Sequence, residues 1–131
     1  SEMCIRDRLG ASLGNIRLAC IGRIAWFTIT RDMIDEAGAS SEHVGGFTDT
    51  VRSVKGVEVA IMIHELSDRR TRLNFRSKRR VTIDGLARQF GGGGHRFAAG
   101  AVVDQPLEIV REAIIPAAVS EIEKQLGEKT E

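Results

Sequence analysis

VEVAIMIHEL at residues 57–66 and TRLNFRS at residues 71–77, joined by SDRR at residues 67–70, decide the fold. The first segment is β-branched and alternates. Val57, Val59, Ile61 and Ile63 share one face, and Glu58, Ala60, Met62 and His64 share the other. The polar run at 67–70 reads as a turn, and the second segment returns with Leu73 and Phe75 pointing one way and Arg72, Asn74 and Arg76 the other. The pair is therefore a β-hairpin with one core face and one polar face.

Moving outward, residues 23–30 (RIAWFTIT) read as another buried strand. Met33, Ile34 and Ala37 suit a short helix ending near Gly38. Ser40 or Ser41 caps a further helix, on which Val44, Phe47, Val51 and Val54 recur at three- and four-residue spacing. Gly45 and Gly46 weaken that helix by roughly 1 kcal/mol each relative to Ala. After the hairpin, residues 84–90 form a short helix with Leu86, Ala87 and Phe90 as its apolar side, and residues 99–103 form a strand. Pro106 opens a long C-terminal helix striped by Leu107, Val110, Ile114, Ala118 and Ile122, which Pro116 is expected to kink or split. Helices interleaved with strands around a hairpin give an α/β fold: a single domain with a mixed sheet of four to five strands flanked by helices.

The chain has 131 residues, 42% hydrophobic and 28% charged, which suits one soluble domain with one core. Aromatics make up 5%, with one Trp and no Tyr, too few for a base-stacking surface. Net charge is +1, so no global field draws the chain to nucleic acid or membrane. Basic residues nonetheless cluster: Arg69, Arg70, Arg72, Arg76, Lys78, Arg79 and Arg80 lie in twelve positions with no acid among them. Such an edge is either solvated or a track for a short nucleic acid. No apolar run approaches the ~18 residues of a membrane helix. Cys4 and Cys20 are too few and too far apart for a disulfide scaffold or a metal motif, and a reducing cytoplasm is the expected location. Residues 1–8 (SEMCIRDR) fit no element and are similar to translated sequencing-adaptor DNA, so residues 1–11 are expected to be a non-native or linker segment. The domain is expected over residues 12–126, with residues 127–131 as a tail.

Chemistry concentrates in FGGGGHRFAAGA, residues 90–101. Gly91 suits a helix C′ position, but four glycines exceed what a cap needs. Residues without Cβ let backbone N–H groups approach a ligand and form an anion-binding nest. His95 adds a donor that is charged or neutral near pH 7, and Ala98, Ala99 and Gly100 keep the far wall thin. The combination suits phosphate. It is not a Walker A loop, since no Lys-Ser/Thr follows, nor a dinucleotide fingerprint, since the glycines follow a helix. His64, His43, Trp26 and Cys20 read as structural or solvated residues.

GGGGHRFAAGA resembles the glycine-histidine signature of the DHH-associated C-terminal domain of DHH phosphoesterases. Residues 52–65 resemble that family's central strand, and LNFRSK at residues 73–78 its Arg-Ser-Lys strand. The resemblance is greatest to the group that hydrolyses short oligoribonucleotides and 3′-phosphoadenosine 5′-phosphate. It implies the substrate-binding half of an enzyme whose N-terminal DHH domain carries two divalent metals, manganese or magnesium, on an Asp-His-His motif. That motif is absent here, where the histidines are His43, His64 and His95. The resemblance thus implies no catalytic residue and no metal or cofactor ligand in this chain, and hydrolysis needs the N-terminal domain as partner. It assigns phosphate binding to Gly91, Gly92, Gly93, Gly94 and His95, and nucleotide binding to Arg76, Ser77 and Lys78. The expected ligand is short single-stranded nucleic acid or a nucleoside 3′,5′-bisphosphate, with no membrane partner. Two alternatives are a nucleic-acid-binding module without its own chemistry, as at the end of alanyl-tRNA synthetases, and part of a single-strand-specific exonuclease.

Overall fold

The computed structural model describes residues 16–20 and 22–127. The expected linker at residues 1–11 and most of the 127–131 tail lie outside the described residues. The elements run β1 (Arg17–Ala19), β2 (Ile24–Ile29), α1 (Arg31–Ala37), α2 (Ser41–Arg52), β3 (Val59–Ser67), β4 (Arg70–Ser77), α3 (Asp84–Gln89), β5 (Gly93–His95), β6 (Ala98–Val103) and α4 (Leu107–Leu126).

The strands form one six-stranded sheet in the order β1-β2-β3-β4-β6-β5. Only β2 and β3 are parallel, joined through α1 and α2, and every other pairing is antiparallel. The α/β class with a mixed sheet is as expected. The count exceeds four to five because β1 and β5 are three-residue strands, too short for periodicity to reveal. In β1, Arg17 and Leu18 pair with Trp26 and Ala25 of β2.

Two apolar layers hold the sheet. On one face Ile24, Val59, Ile61, Ile63, Leu73 and Phe75 pack against α3 and against the α4 stripe of Leu107, Val110, Ile114, Ala118 and Ile122. On the other, Ala25, Phe27, Ile29, Ala60 and Met62 pack under α1 and α2 through Ala37, Val44 and Val51. Each large side chain buried this way contributes about 1.5–3 kcal/mol. The expectation of one apolar and one polar face on β3 is therefore corrected. Ala60 and Met62 are fully buried because the β2–β3 crossover lays two helices over them. Val57 precedes the strand and joins the α1/α2 layer, not the face of Val59. On β4 the expected division stands: Leu73 and Phe75 are buried, while Arg72, Asn74 and Arg76 remain half-exposed.

Local signals explain the helix limits. Thr30 caps α1 by accepting from Met33 N at 3.2 Å. Ser40 precedes α2 and donates its N–H to Nδ1 of His43 at 2.9 Å, so His43 is a capping residue and not a merely solvated one. Val54 lies past the end of α2 and is exposed. Pro116 neither splits nor ends α4, which is continuous from Leu107 to Leu126. It lies on the exposed side, where water can satisfy the carbonyl that proline leaves without a donor. Gln125 fixes the far end of α4: its Nε2 donates to Thr82 O at 2.7 Å and its Oε1 accepts from Thr82 N at 2.8 Å. Cys20 is buried, and among the described residues no helix is long and apolar enough to cross a membrane.

The seating of α4 yields a direct check. Ile114 is fully buried and Ile109 is 52% exposed on the same helix. Ile114→Ala should lower the unfolding free energy by about 2–5 kcal/mol, and Ile109→Ala by less than about 0.5 kcal/mol. Urea denaturation of both variants tests this, and equal costs would displace α4 from the sheet.

Candidate functional site

The glycine run is not a flexible loop. Its first two residues close α3. Gly91 adopts φ +82°, and the N–H groups of Gly91 and Gly92 donate to Arg88 O at 3.1 Å and Ala87 O at 2.9 Å. This is a Schellman closure. The expected four-residue anion nest is not formed, because these two donors are spent on the helix. Gly93 to His95 continue as β5, paired with β6 through Gly93 opposite Gly100, Gly94 opposite Ala99 and His95 opposite Ala98. Arg96 and Phe97 make the two-residue turn, which the domain grips from outside. Arg96 O accepts from Ile83 N at 2.8 Å, and Phe97 O accepts from Ser77 N at 2.9 Å.

Most of these glycines answer to packing. A Cβ on Gly92 would lie 2.0 Å from Gly100 O, and one on Gly94 would lie 2.7 Å from Ala99 Cα on a backbone at φ +143°. A Cβ on Gly100 would lie 2.8 Å from Leu73 O. Gly93 differs: a Cβ there would meet nothing within 4 Å, and its φ is not positive. The fold supplies no reason for a glycine at that position.

Register shows what shares a face. Directly opposed residues in a sheet point the same way. His95, Ala98, Arg76 and Ala60 form one row across β5, β6, β4 and β3. Gly93, Gly100, Asn74 and Met62 form the next, and Val102, Arg72 and His64 the third. These rows lie on the side of the sheet carrying α1 and α2. Those helices pack on β2, β3 and part of β4, which leaves β6 and β5 open there. The result is a strip floored by Gly93, Ala98 and Gly100, with His95 at the edge and Arg76, Asn74 and Arg72 along β4. A shallow pocket of about 290 Å³ opens on it, lined by Arg72, Asn74, Gly92, Gly100 and Val102 among others.

Arg76 is held in place. Its Nε donates to Asp49 Oδ1 of α2 at 3.1 Å, and its Nη1 donates to Phe75 O at 3.0 Å. Gly45 of α2 lies beside it, and a Cβ there would make only an ordinary contact, 3.9 Å from the guanidinium Nη2. Asp49 also pairs with Arg52 at 3.7 Å. Two of the residues assigned to nucleotide binding lie elsewhere. Ser77 is buried on the opposite face and donates to Val81 O at 2.8 Å. Lys78 follows β4, and its Nζ donates to Val54 O at 3.0 Å. The structure thus brings Arg76, Gly93 and His95 onto one face, uses Gly91, Gly92 and Gly94 for the backbone that carries them, and separates Ser77 and Lys78. Arg72 and Asn74 were noted only as polar companions of Arg76, although their alternation along β4 already placed them on its face.

His64 sits beside this strip. It is 7% exposed, opposite Arg72, with a buried Nδ1 that has no hydrogen-bond partner. Burial lowers its pKa below the ordinary 6.5, and the nearby Arg72 lowers it further, against a smaller opposing pull from Glu65. Among the described residues no group of three or more His, Cys, Asp or Glu is placed to hold a metal.

The sequence and fold can now be set beside known proteins. The DHHA1 domain family model matches residues 23–128. The chain belongs to the DHHA1 domain family. It is 33% identical over 89 residues to the bifunctional oligoribonuclease and PAP phosphatase NrnA of Bacillus subtilis (strain 168), a match covering 68% of this chain and 28% of that protein. An exopolyphosphatase-related protein from Bacteroides fragilis superposes with a TM-score of 0.81 at 22% identity, over 98% of this chain and 38% of that one. The C-Ala domain of Aquifex aeolicus alanyl-tRNA synthetase gives 0.54 at 15% identity, over 80% of this chain and 91% of that domain. The pGpG-specific phosphodiesterase PggH of Vibrio cholerae gives 0.53 at 12% identity, over 89% and 38%. At these identities the structural likenesses establish the shared fold. This DHHA1 domain spans well under half the length of NrnA, of the Bacteroides fragilis protein and of PggH.

Two stability outcomes follow. Gly94→Ala should destabilise the domain by about 1–3 kcal/mol, whereas Gly93→Ala should stay within about 0.5 kcal/mol of wild type. Paired thermal melts check the contrast. His64 sets a pH trend. Its folded pKa lies below its unfolded one, so the unfolded chain binds the extra proton and stability falls as pH drops through about 6.5. His64→Gln should flatten that slope in denaturation curves between pH 7.5 and 5.5, and an unchanged slope would remove His64 as its source.

Proposed function

We propose that this DHHA1 domain is the substrate-binding half of a metal-dependent DHH phosphoesterase acting on short oligoribonucleotides or nucleoside 3′,5′-bisphosphates. The observation that carries the reading is Gly93. A Cβ there would meet no atom within 4 Å, and the residue lies on the open face two positions before His95 and in one row with Gly100 and Asn74, where the missing side chain leaves room for a ligand. A phosphate seated over Gly93 and Ala98 has the His95 imidazole on one side and the Arg76 guanidinium on the other. Asp49 and Phe75 O hold Arg76 in orientation, so binding costs little side-chain entropy. Arginine can offer two parallel N–H donors to phosphate.

Relatives support the substrate class: one is named an oligoribonuclease and PAP phosphatase, another a pGpG-specific phosphodiesterase. In this reading manganese or magnesium belongs to a DHH domain N-terminal to this one, which also closes the open face and excludes water. The described residues here offer no such ligand set, so no step through a metal is assigned to them. This half binds and orients phosphate, and the other half performs the hydrolysis.

With half the site, the chain should bind adenosine 3′,5′-bisphosphate at about millimolar Kd, worth about 4 kcal/mol. His95→Ala removes a hydrogen bond to a charged group, worth about 1.5–3 kcal/mol, and should weaken binding at least tenfold with an unchanged melting temperature. Gly93→Ala should also weaken binding while leaving the fold intact. NMR-detected titration measures each. Wild-type affinity in both variants would mean that the imidazole and the glycine serve the sheet and not a ligand.

A further inference from the structure

Arg72 is the observation that the phosphate site at Arg76 and His95 does not use. It is half-buried on the open face, yet no carboxylate lies within ion-pair distance of it and no hydrogen bond ties it down among the described residues. Arg76, on the same strand and face, is by contrast tethered to Asp49. Asn74, between them, likewise has no side-chain hydrogen bond among the described residues. Both line the shallow pocket whose far wall is Gly100 and Val102. His64, across from Arg72, has its pKa held below the ordinary 6.5 by burial, which disfavours a second positive charge beside the guanidinium. A half-buried, unneutralised cation beside a free amide and a glycine floor is a group left with its charge and donors available.

We propose that Arg72 and Asn74 form a second anion subsite, which takes a further phosphodiester of an oligonucleotide laid along β4 from the Arg76 and His95 site. Arg72 lies four residues from Arg76. At ~3.3 Å per residue their Cα atoms stand ~13 Å apart. That span exceeds the spacing of neighbouring phosphates on a strand and suits two phosphates with a third between them, as the trinucleotide below carries. Asn74 sits midway, opposite Gly100, where it can donate to a sugar or phosphate oxygen. The subsite rests on the phosphate-binding reading above and adds a length preference to it: a ligand with several phosphates gains contacts that a mononucleotide cannot reach.

The test compares AMP with the 5′-phosphorylated trinucleotide pApApA as ligands of the chain, for wild type, Arg72→Gln, Arg72→Lys and His95→Ala, with melting temperatures as a folding control. Wild type should bind pApApA more tightly than AMP. Arg72→Gln should weaken pApApA about tenfold or more, leave AMP unchanged, and lower the salt slope of pApApA binding by about 0.7. Arg72→Lys should keep that slope while losing affinity. Unchanged pApApA affinity in Arg72→Gln, or equal weakening of both ligands, overturns the second subsite. If wild type binds neither ligand, the phosphate reading falls and the subsite with it. If His95→Ala leaves both affinities unchanged while Arg72→Gln weakens pApApA alone, the subsite stands and the site at His95 falls.

Discussion

A strand dry on both faces cannot be the centre of a two-layer domain, and β3 is such a strand. Val59, Ile61 and Ile63 face α3 and α4, while Ala60 and Met62 face α1 and α2. The crossover between β2 and β3 supplies the second layer, but its two short helices reach only part of the way across six strands. Coverage ends at β4, where Leu73 and Phe75 remain buried below and Arg72, Asn74 and Arg76 emerge above. The open part of the sheet, and hence any site on it, follows from this unequal covering. The same helix that ends the coverage reaches out to orient Arg76 through Asp49.

The glycine run divides its work between fold and surface. Gly91 turns the end of α3 in the left-handed region. Gly92, Gly94 and Gly100 let β5, β6 and β4 approach more closely than any Cβ would permit. These requirements bring an edge strand of three residues into the sheet and aim His95 along the row that holds Arg76. Packing and binding thus draw on neighbouring positions of one motif, and Gly93 is where the two demands separate.

Much of this was legible in the sequence. Period-two alternation identified the β3–β4 hairpin, and the stripe from Leu107 to Ile122 identified the buried face of α4. Arg76 was placed correctly because alternation along β4 fixes its side. Other features depend on contacts distant in sequence. Nothing local marks Gly93 to His95 as a strand, because glycine has the weakest strand preference and the pairing partner lies across a turn. Ser77 was assigned to the nucleotide by the family resemblance, whereas alternation turns it inward, where it donates to Val81 O. Ala60 and Met62 fell on the face read as polar because the helices that cover them come from the preceding crossover. Pro116 signalled a break that its exposed position makes affordable.

The central claim is that the uncovered part of the sheet is the ligand-binding surface of the domain. Backbone amide chemical shifts recorded while inorganic phosphate or AMP is titrated into the chain test it most directly. The account predicts the largest changes at Gly93, His95, Ala98, Gly100 and Arg76, in one contiguous strip, with little change along α3 and α4. Changes centred on the exposed Arg69 and Arg70 turn, or on the α3 and α4 side of the sheet, would contradict it.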